Sequence, residues 1–253
     1  MRSRTKRGPF VPCEAGNGGR GKRYVFLAGL LLSAAFYSQA SAELLISRYA
    51  VSLAGVRMGE AIVHTTFDAK HYKVEISADV GTLLKNTKVQ GEASGSRTGQ
   101  KLTPERFKLV TSDGQKSIID FAAAATAGAK AGTQLKGVLD PLSALLAASI
   151  RPSSTSTTPC DKVLTIMMSR ARIDASLNPS AEDSRDPRLV SCRVNFTANA
   201  SSSASNPGLQ SVQWEVNFQK LTQPQLWLVE QVSLPTDMGT VTIDRVETAV
   251  SGS

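Results

Sequence analysis

The sequence contains few of the residues on which most enzyme sites depend. Its 253 residues include only two histidines and three cysteines. A tetrahedral metal site needs four clustered ligands, and His64 and His71 lie far from the cysteines along the chain, so we expect no metal. A Gly-x-Ser-x-Gly nucleophile motif is also missing, and nothing in the sequence indicates a cofactor. The composition therefore favours a noncatalytic protein, with no catalytic residue assigned.

The chain also has little negative charge, with 21 acidic residues against 29 basic ones and a formal charge of +8. Such an excess suggests nucleic acid or another anionic partner. However, the first 42 residues hold seven of the basic residues and one of the acidic ones, which leaves 22 and 20 in the remaining 211 residues. Because that remainder is almost neutral, we expect no nucleic-acid partner.

The first 42 residues have the three parts of a secretory signal peptide. A basic stretch precedes an apolar run at residues 24–36, and the small residues Ala40 and Ala42 then precede Glu43, as a signal peptidase requires. The apolar run is shorter than the ~20 residues of a membrane-spanning helix, and a retained N-terminal anchor is the alternative. We therefore predict a periplasmic protein, with residues 1–42 as signal peptide and residues 43–253 as a single β-rich domain.

Two cysteines, Cys160 and Cys192, lie beyond the predicted leader. In an oxidising compartment, a remaining pair of cysteines usually forms one disulfide. The alternative is two free, buried thiols, which pack as small hydrophobic side chains. We predict the disulfide.

Strict alternation of apolar and polar residues dominates the rest of the chain. This period of two is typical of half-buried antiparallel strands, and it occurs at residues 45–53, 72–79, 212–218 and 241–244. Turn signals separate the strands, at Gly55, 68–70, Gly95, 113–114, 206–208 and 237–239. The pattern predicts a mainly β fold, an antiparallel curled sheet or an open barrel with one short amphipathic helix.

That helix is predicted after Asp140, a good N-cap residue, with Pro141 in its first turn. Leu142, Leu146 and Ile150 recur at helical spacing, and the helix should end before residue 152, which is a proline. It would cover the core, or alternatively act as a lid over an apolar interior. We interpret residues 122–132, 151–158 and 198–206 as surface loops, because they are rich in small and polar residues.

Four short motifs, in this order and spacing, resemble one family. They are Tyr49-x-Val51-x-Leu53-x-Gly55-x-x-x-Gly59-Glu60, Leu139-Asp140-Pro141-Leu142-Ser143-Ala144-Leu145, the pair Pro159-Cys160-Asp161 and Cys192-Arg193-Val194, and Pro235-Thr236-x-x-Gly239-Thr240-Val241. The chain is similar to the exported bacterial proteins grouped as domain of unknown function 3108, in its alphaproteobacterial form. The resemblance implies a periplasmic β-rich protein, with a curled sheet similar to lipoprotein-carrier folds.

The chain departs from the family pattern after Cys160. The family has a Phe-Asp-Gly-Arg-like stretch where this chain has Met167-Met168-Ser169-Arg170, so only Arg170 and Arg172 are kept. Arginines alternating on a strand can bind an anion bidentately, and a solvated strand face is the alternative.

These observations favour a noncatalytic protein that supports the cell envelope by binding a lipid or other hydrophobic ligand, or an envelope protein partner. The alternative is a hydrolase acting on envelope glycan or lipid, with Asp140 or Asp174 as acids. An open apolar concavity in the sheet would favour a carrier, and a filled interior would favour a structural role.

Overall fold

The structure is a computed structural model that describes residues 42–81, 86–126, 135–150, 158–168, 171–180, 186, 188–198, 213–222 and 226–252. These residues form twelve strands and two helices. The first group is β1 (Glu43–Leu53), β2 (Val56–Phe67), β3 (His71–Gly81), β4 (Asn86–Thr98), β5 (Lys101–Thr111), β6 (Lys116–Asp120) and α1 (Phe121–Thr126). The second group is α2 (Pro141–Ser149), β7 (Lys162–Met168), β8 (Ala171–Pro179), β9 (Leu189–Ala198), β10 (Trp214–Lys220), β11 (Trp227–Thr236) and β12 (Gly239–Gly252).

All neighbouring strands pair antiparallel in one sheet, in the order β6-β5-β4-β3-β2-β1-β12-β11-β10-β9-β8-β7. The first and last strands meet in the middle, and β6 and β7 form the two edges. The sheet is therefore not closed by strand pairing into a barrel. The predicted fold class, a mainly β antiparallel sheet, is confirmed.

Helix α2 lies against the side of the sheet that carries the core. It contacts β3, β4, β5, β7 and β11, and its buried residues include Leu142 and Leu146. A flanking residue at each end adds a strand-like bridge, because Leu139 pairs with Ile166 on β7 and Ile150 pairs with Leu226. The helix thus contacts strands from both halves of the sheet.

The helix begins where the sequence predicts, with Asp140 as N-cap and Pro141 as its first residue. Its burial differs from that of an ordinary amphipathic helix, because Ser143 and Ala144 are as buried as the leucines and no position from 141 to 149 is exposed. It is part of the core.

Two local predictions were wrong. The start of the supposed loop at 122–132 is helix α1, because Asp120 Oδ1 accepts a hydrogen bond from the Ala123 N–H at 2.7 Å and caps an alanine-rich turn. Gly95 is not a turn residue but lies inside β4, next to a register shift after Ser94. A Cβ at Gly95 would lie 2.3 Å from the carbonyl oxygen of Thr103, so this close approach requires glycine.

The two cysteines meet as predicted. Cys160 precedes β7 and Cys192 lies on β9, and their sulfur atoms are 2.03 Å apart, at a disulfide bond. Both residues are fully buried, and so is the neighbouring Pro159. The bond ties the start of β7 to β9, two strands further into the sheet.

Strand β1 begins at Glu43, the first residue after the predicted cleavage site. Residues 1–41 of the predicted leader, including Cys13 and Ala40, lie outside the described residues, as do Arg170 and the turn signal at 206–208. Export therefore stays a prediction. In the part of the chain that the structure describes, neither helix has the length and hydrophobicity needed to cross a membrane.

Candidate functional site

Three buried polar side chains, at and near the start of α2, are linked by a chain of hydrogen bonds. Asp140 Oδ1 accepts from the backbone N–H groups of Leu142, at 3.0 Å, and Ser143, at 2.9 Å. Asp140 Oδ2 accepts from Ser143 Oγ at 2.5 Å, and Ser143 Oγ lies 2.7 Å from the hydroxyl oxygen of Tyr72 on β3. The helix start is therefore joined by side chains to the first half of the sheet.

Burial shifts the pKa values of the two titratable residues in this chain of hydrogen bonds, Asp140 and Tyr72. Asp140 and Ser143 have no exposed surface, and Tyr72 keeps only 3% of its surface exposed. Desolvation raises the pKa of Asp140 above its ordinary value, although hydrogen bonds, the largest effect being that of the Ser143 hydroxyl, oppose the shift; desolvation also raises the pKa of Tyr72. Because a substrate cannot reach Asp140, its geometry is that of a structural N-cap.

The other end of α2 is closed by Lys162, the first residue of β7. Its Nζ donates to the backbone oxygens of Ala147 and Ala148, both at 3.0 Å, and of Ile150, at 2.9 Å. A cation is favourable at a helix C-terminus. Burial lowers the pKa of Lys162 from 10.5 to about 8, while the three carbonyl oxygens favour its ammonium form. The helix is thus capped by a side chain at each end.

A cavity opens where β5, α1 and the segment 135–138 meet. Its volume is about 360 Å³. Apolar side chains line it, including Leu102, Phe121 and Val138, which are buried. Its exposed charged lining residues are Lys101, Glu105 and Lys136. An apolar cleft with a few polar groups at its mouth is the usual form of a small-molecule site. We call this space the mouth cavity and take it as the candidate binding site.

A second depression, of about 380 Å³, lies on the polar face of the sheet. Its lining includes His64, Glu75, Glu92 and Lys108, which stand directly opposite one another on β2, β3, β4 and β5. Lys73 forms ion pairs with both carboxylates, because its Nζ lies 2.8 Å from Glu75 and 3.4 Å from Glu92. Among the described residues, no group of three potential ligands is placed to hold a metal ion.

The other predicted site residues are dispersed. Arg172 lies half-buried on β8, and its Nε is buried with no hydrogen-bond partner among the described residues. Asp174 Oδ1 accepts from Thr165 Oγ1 at 2.6 Å, and His71 lies on the exposed side of a turn, beside Asp68. With Arg170 outside the described residues, anion binding at Arg170 and Arg172 stays a prediction.

A polar cluster near the β1–β12 seam was not predicted. Arg245 is almost buried, and its Nε donates to Glu230 Oε2 at 2.8 Å, while further guanidinium contacts reach Gln219 and Thr248. Nearby, the hydroxyl of Tyr49 donates to the carbonyl of Val229 at 3.3 Å. These residues join β1, β10, β11 and β12. No local pattern indicates the cluster, because it depends on how four strands are arranged in the sheet.

Comparisons with known proteins add little about function. No family model matches the chain, and no curated protein matches it. A β-barrel-like protein of domain of unknown function DUF1849 from Brucella abortus superposes with a TM-score of 0.42 and 7% identity, over 84% of this chain and 98% of that one. The hypothetical protein CT021 from Chlamydia trachomatis gives 0.37 and 13%, over 82% and 88%. Both scores are below 0.5, so neither likeness constrains the activity of this chain, and membership of domain 3108 stays a prediction.

Proposed function

We propose that the protein is an exported, noncatalytic component of the bacterial envelope that acts through a protein partner bound at its surface. The observation that carries the proposal is the position of α2. A lipid carrier needs an open apolar interior, whereas here Leu142, Ala144 and Leu146 of α2 are buried against the sheet. Gly91 adds to this fit, because a Cβ there would lie 3.4 Å from Leu142.

Hydrolysis has less support than binding. The hypothesis assigned the acid to Asp140 or Asp174, but Asp140 is fully buried with both oxygens hydrogen-bonded, and Asp174 is bonded to Thr165. Each carboxyl group lies beside a hydroxyl, but Asp140 and Ser143 are fully buried, and neither Asp174 nor Thr165 lines one of the two cavities described above.

Mass spectrometry of the protein purified from the periplasm tests the proposal. Solvent extraction should release no stoichiometric lipid, because α2 covers the side of the sheet that carries the core. A lipid recovered at one copy per chain would contradict the protein-partner role. Non-reducing peptide mapping of the same sample should recover the Cys160–Cys192 link, and free thiols at both positions would argue against export into an oxidising compartment.

A second candidate function follows from the mouth cavity. At about 360 Å³ it has the size of a small-ligand pocket. Two lysines, Lys101 and Lys136, outnumber one carboxylate, Glu105, among its exposed lining residues, so the cavity fits a small acyl chain that carries an anionic group. Lauric acid, titrated calorimetrically, is the probe. Ala122→Trp should abolish binding because Ala122 lines the cavity. Ala123→Trp, on the same exposed turn of α1, is the matched control, and equal binding by both variants would exclude this site.

A further inference from the structure

Strand β6 is a short edge strand with an exposed apolar centre. It pairs with β5 on one side, and no described strand pairs with its other side. Ile118 at its centre is 49% exposed, and Lys116 and Asp120 at its ends are also exposed. An open edge can add a strand from a partner by backbone hydrogen bonding.

The register with β5 shows which backbone groups face that open side. The Thr111 N–H donates to the carbonyl of Gln115 at 3.0 Å, which makes these two residues a hydrogen-bonded pair. Because such pairs alternate along an antiparallel ladder, Ser117 and Ile119 bond to Leu109 and Phe107 of β5. The N–H and C=O groups of the intervening residues 116, 118 and 120 therefore point away from the sheet.

The sequence of the strand, Lys-Ser-Ile-Ile-Asp, is complementary to itself when two copies run antiparallel. Pairing Ile118 with Ile118 of a second copy places Lys116 opposite Asp120 twice, by symmetry. Ile118 then meets its counterpart on the two-fold axis, and each Lys–Asp pair joins opposite charges on the same face. Cross-strand pairs of these types are stabilising, and all three outward-facing residues find backbone partners.

We propose that β6 is a homodimerisation edge, and that two copies of this chain join their sheets through antiparallel β6–β6 pairing centred on Ile118. The interface is isologous, so it closes at two copies and cannot extend into a fibre. A five-residue ladder buries less than the ~1,600 Å² of a standard interface, and we expect a dissociation constant of roughly 10–100 µM. The inference does not depend on the envelope role.

Sedimentation equilibrium of the purified protein from 1 µM to 1 mM tests the β6–β6 dimer, using variants in which the charge at one end of β6 is reversed. Lys116→Glu and Asp120→Lys each place like charges opposite one another in a homodimer and should weaken self-association about tenfold or more. An equimolar mixture of the two variants restores both attractive pairs, so it should dimerise like the wild type. Lys220→Glu, the same charge change on β10, is the matched control and should leave dimerisation unaltered.

Ile118→Pro gives a second, independent test. Its N–H points away from β5, so proline removes a hydrogen bond to the partner copy and none within the sheet. The variant should be monomeric with an unaltered circular-dichroism spectrum, which keeps the test valid if Asp120→Lys disturbs the cap of α1. A monomer at 1 mM overturns the proposal. So does a dimer that persists in Lys116→Glu and Ile118→Pro, which would place the interface elsewhere, for instance at the exposed residues Val56, which begins β2, and Met238, in the turn between β11 and β12.

Discussion

The two halves of the sheet hold helix α2 by opposite chemistry. On the side of β1–β6, a carboxylate with no access to water caps the helix start and is linked through Ser143 to Tyr72. On the side of β7–β12, a half-buried ammonium group, Lys162, caps the helix end, and a disulfide reinforces the strands behind it. Buried hydrogen bonds that lose a partner cost more than exposed ones. The first half should therefore be the more sensitive to loss of a side chain. The second half should depend on redox state and, through Lys162, on pH between about 8 and 10.5.

Removing the disulfide should have the largest effect. The bond closes a loop with a sequence separation of 32, and in the chain-entropy model its loss by Cys160→Ser/Cys192→Ser lowers the free energy of unfolding by about 3–4 kcal/mol. Hydrogen exchange should show faster exchange in β7–β9 than in β2–β4. Reductant added to the double variant is the control and should have no further effect. A uniform loss of protection across both halves would show that they unfold as one unit. The two halves would then not differ in their sensitivity to redox state.

Removing the Asp140 carboxylate should have the next largest effect. In Asp140→Ala the N–H groups of Leu142 and Ser143 and the Ser143 hydroxyl lose their acceptor inside the core, and we expect a loss of about 3 kcal/mol in chemical denaturation. Asp68→Ala is the matched control, because Asp68 Oδ1 accepts from the N–H groups of Lys70 and His71 in an exposed turn. Water can replace that carboxylate, so the loss should be much smaller. Equal losses would mean that burial of the cap is unimportant.

Features of this molecule that depend on residues close to one another in the sequence were predictable. The alternation at Tyr72–Val74 places one face of β3 in the core, and both residues are buried. The N-cap role of Asp140 depends on backbone groups two and three residues away. The disulfide was predictable for a different reason, since only two cysteines follow the predicted leader.

Features that depend on distant residues were not predictable. Tyr72 and Ser143 are separated by 71 positions, and nothing in either local pattern indicates that their hydroxyl groups meet. Lys162 looks like any polar residue at the start of a strand, and its role depends on where α2 ends. A glycine such as Gly95 usually indicates a turn, whereas here it allows the backbones of β4 and β5 to approach closely.

Removing one hydroxyl compares the contact between β3 and α2 with a contact at the seam where the two halves of the sheet meet. Tyr72→Phe deletes a buried bond of 2.7 Å to Ser143 and should lower the free energy of unfolding by about 1 kcal/mol. Tyr49→Phe deletes a longer bond, 3.3 Å, to the carbonyl of Val229 on β11, and should cost less than half as much. Both tyrosines are more than nine-tenths buried, so a difference between the denaturant midpoints of the two variants does not come from a difference in burial. A larger loss for Tyr49→Phe would place the more important tyrosine at the seam between β1 and β12.

The smallest expected effect is a dependence of stability on pH that belongs to Lys162. Its folded pKa is lowered to about 8, from an ordinary 10.5. Between these values the unfolded chain holds a proton that the folded chain has released, so the free energy of unfolding rises with pH in this window, relative to Lys162→Met. Partial exposure limits the rise, and the variant's lost hydrogen bonds add an offset that does not change with pH. Denaturation at pH 7, 8, 9 and 10 therefore tests the slope, with Lys220→Met on β10 as control. If the wild type and Lys162→Met have parallel profiles, the three carbonyl oxygens at the end of α2 compensate fully for burial, and the second half of the sheet is no more sensitive to alkaline pH than the first.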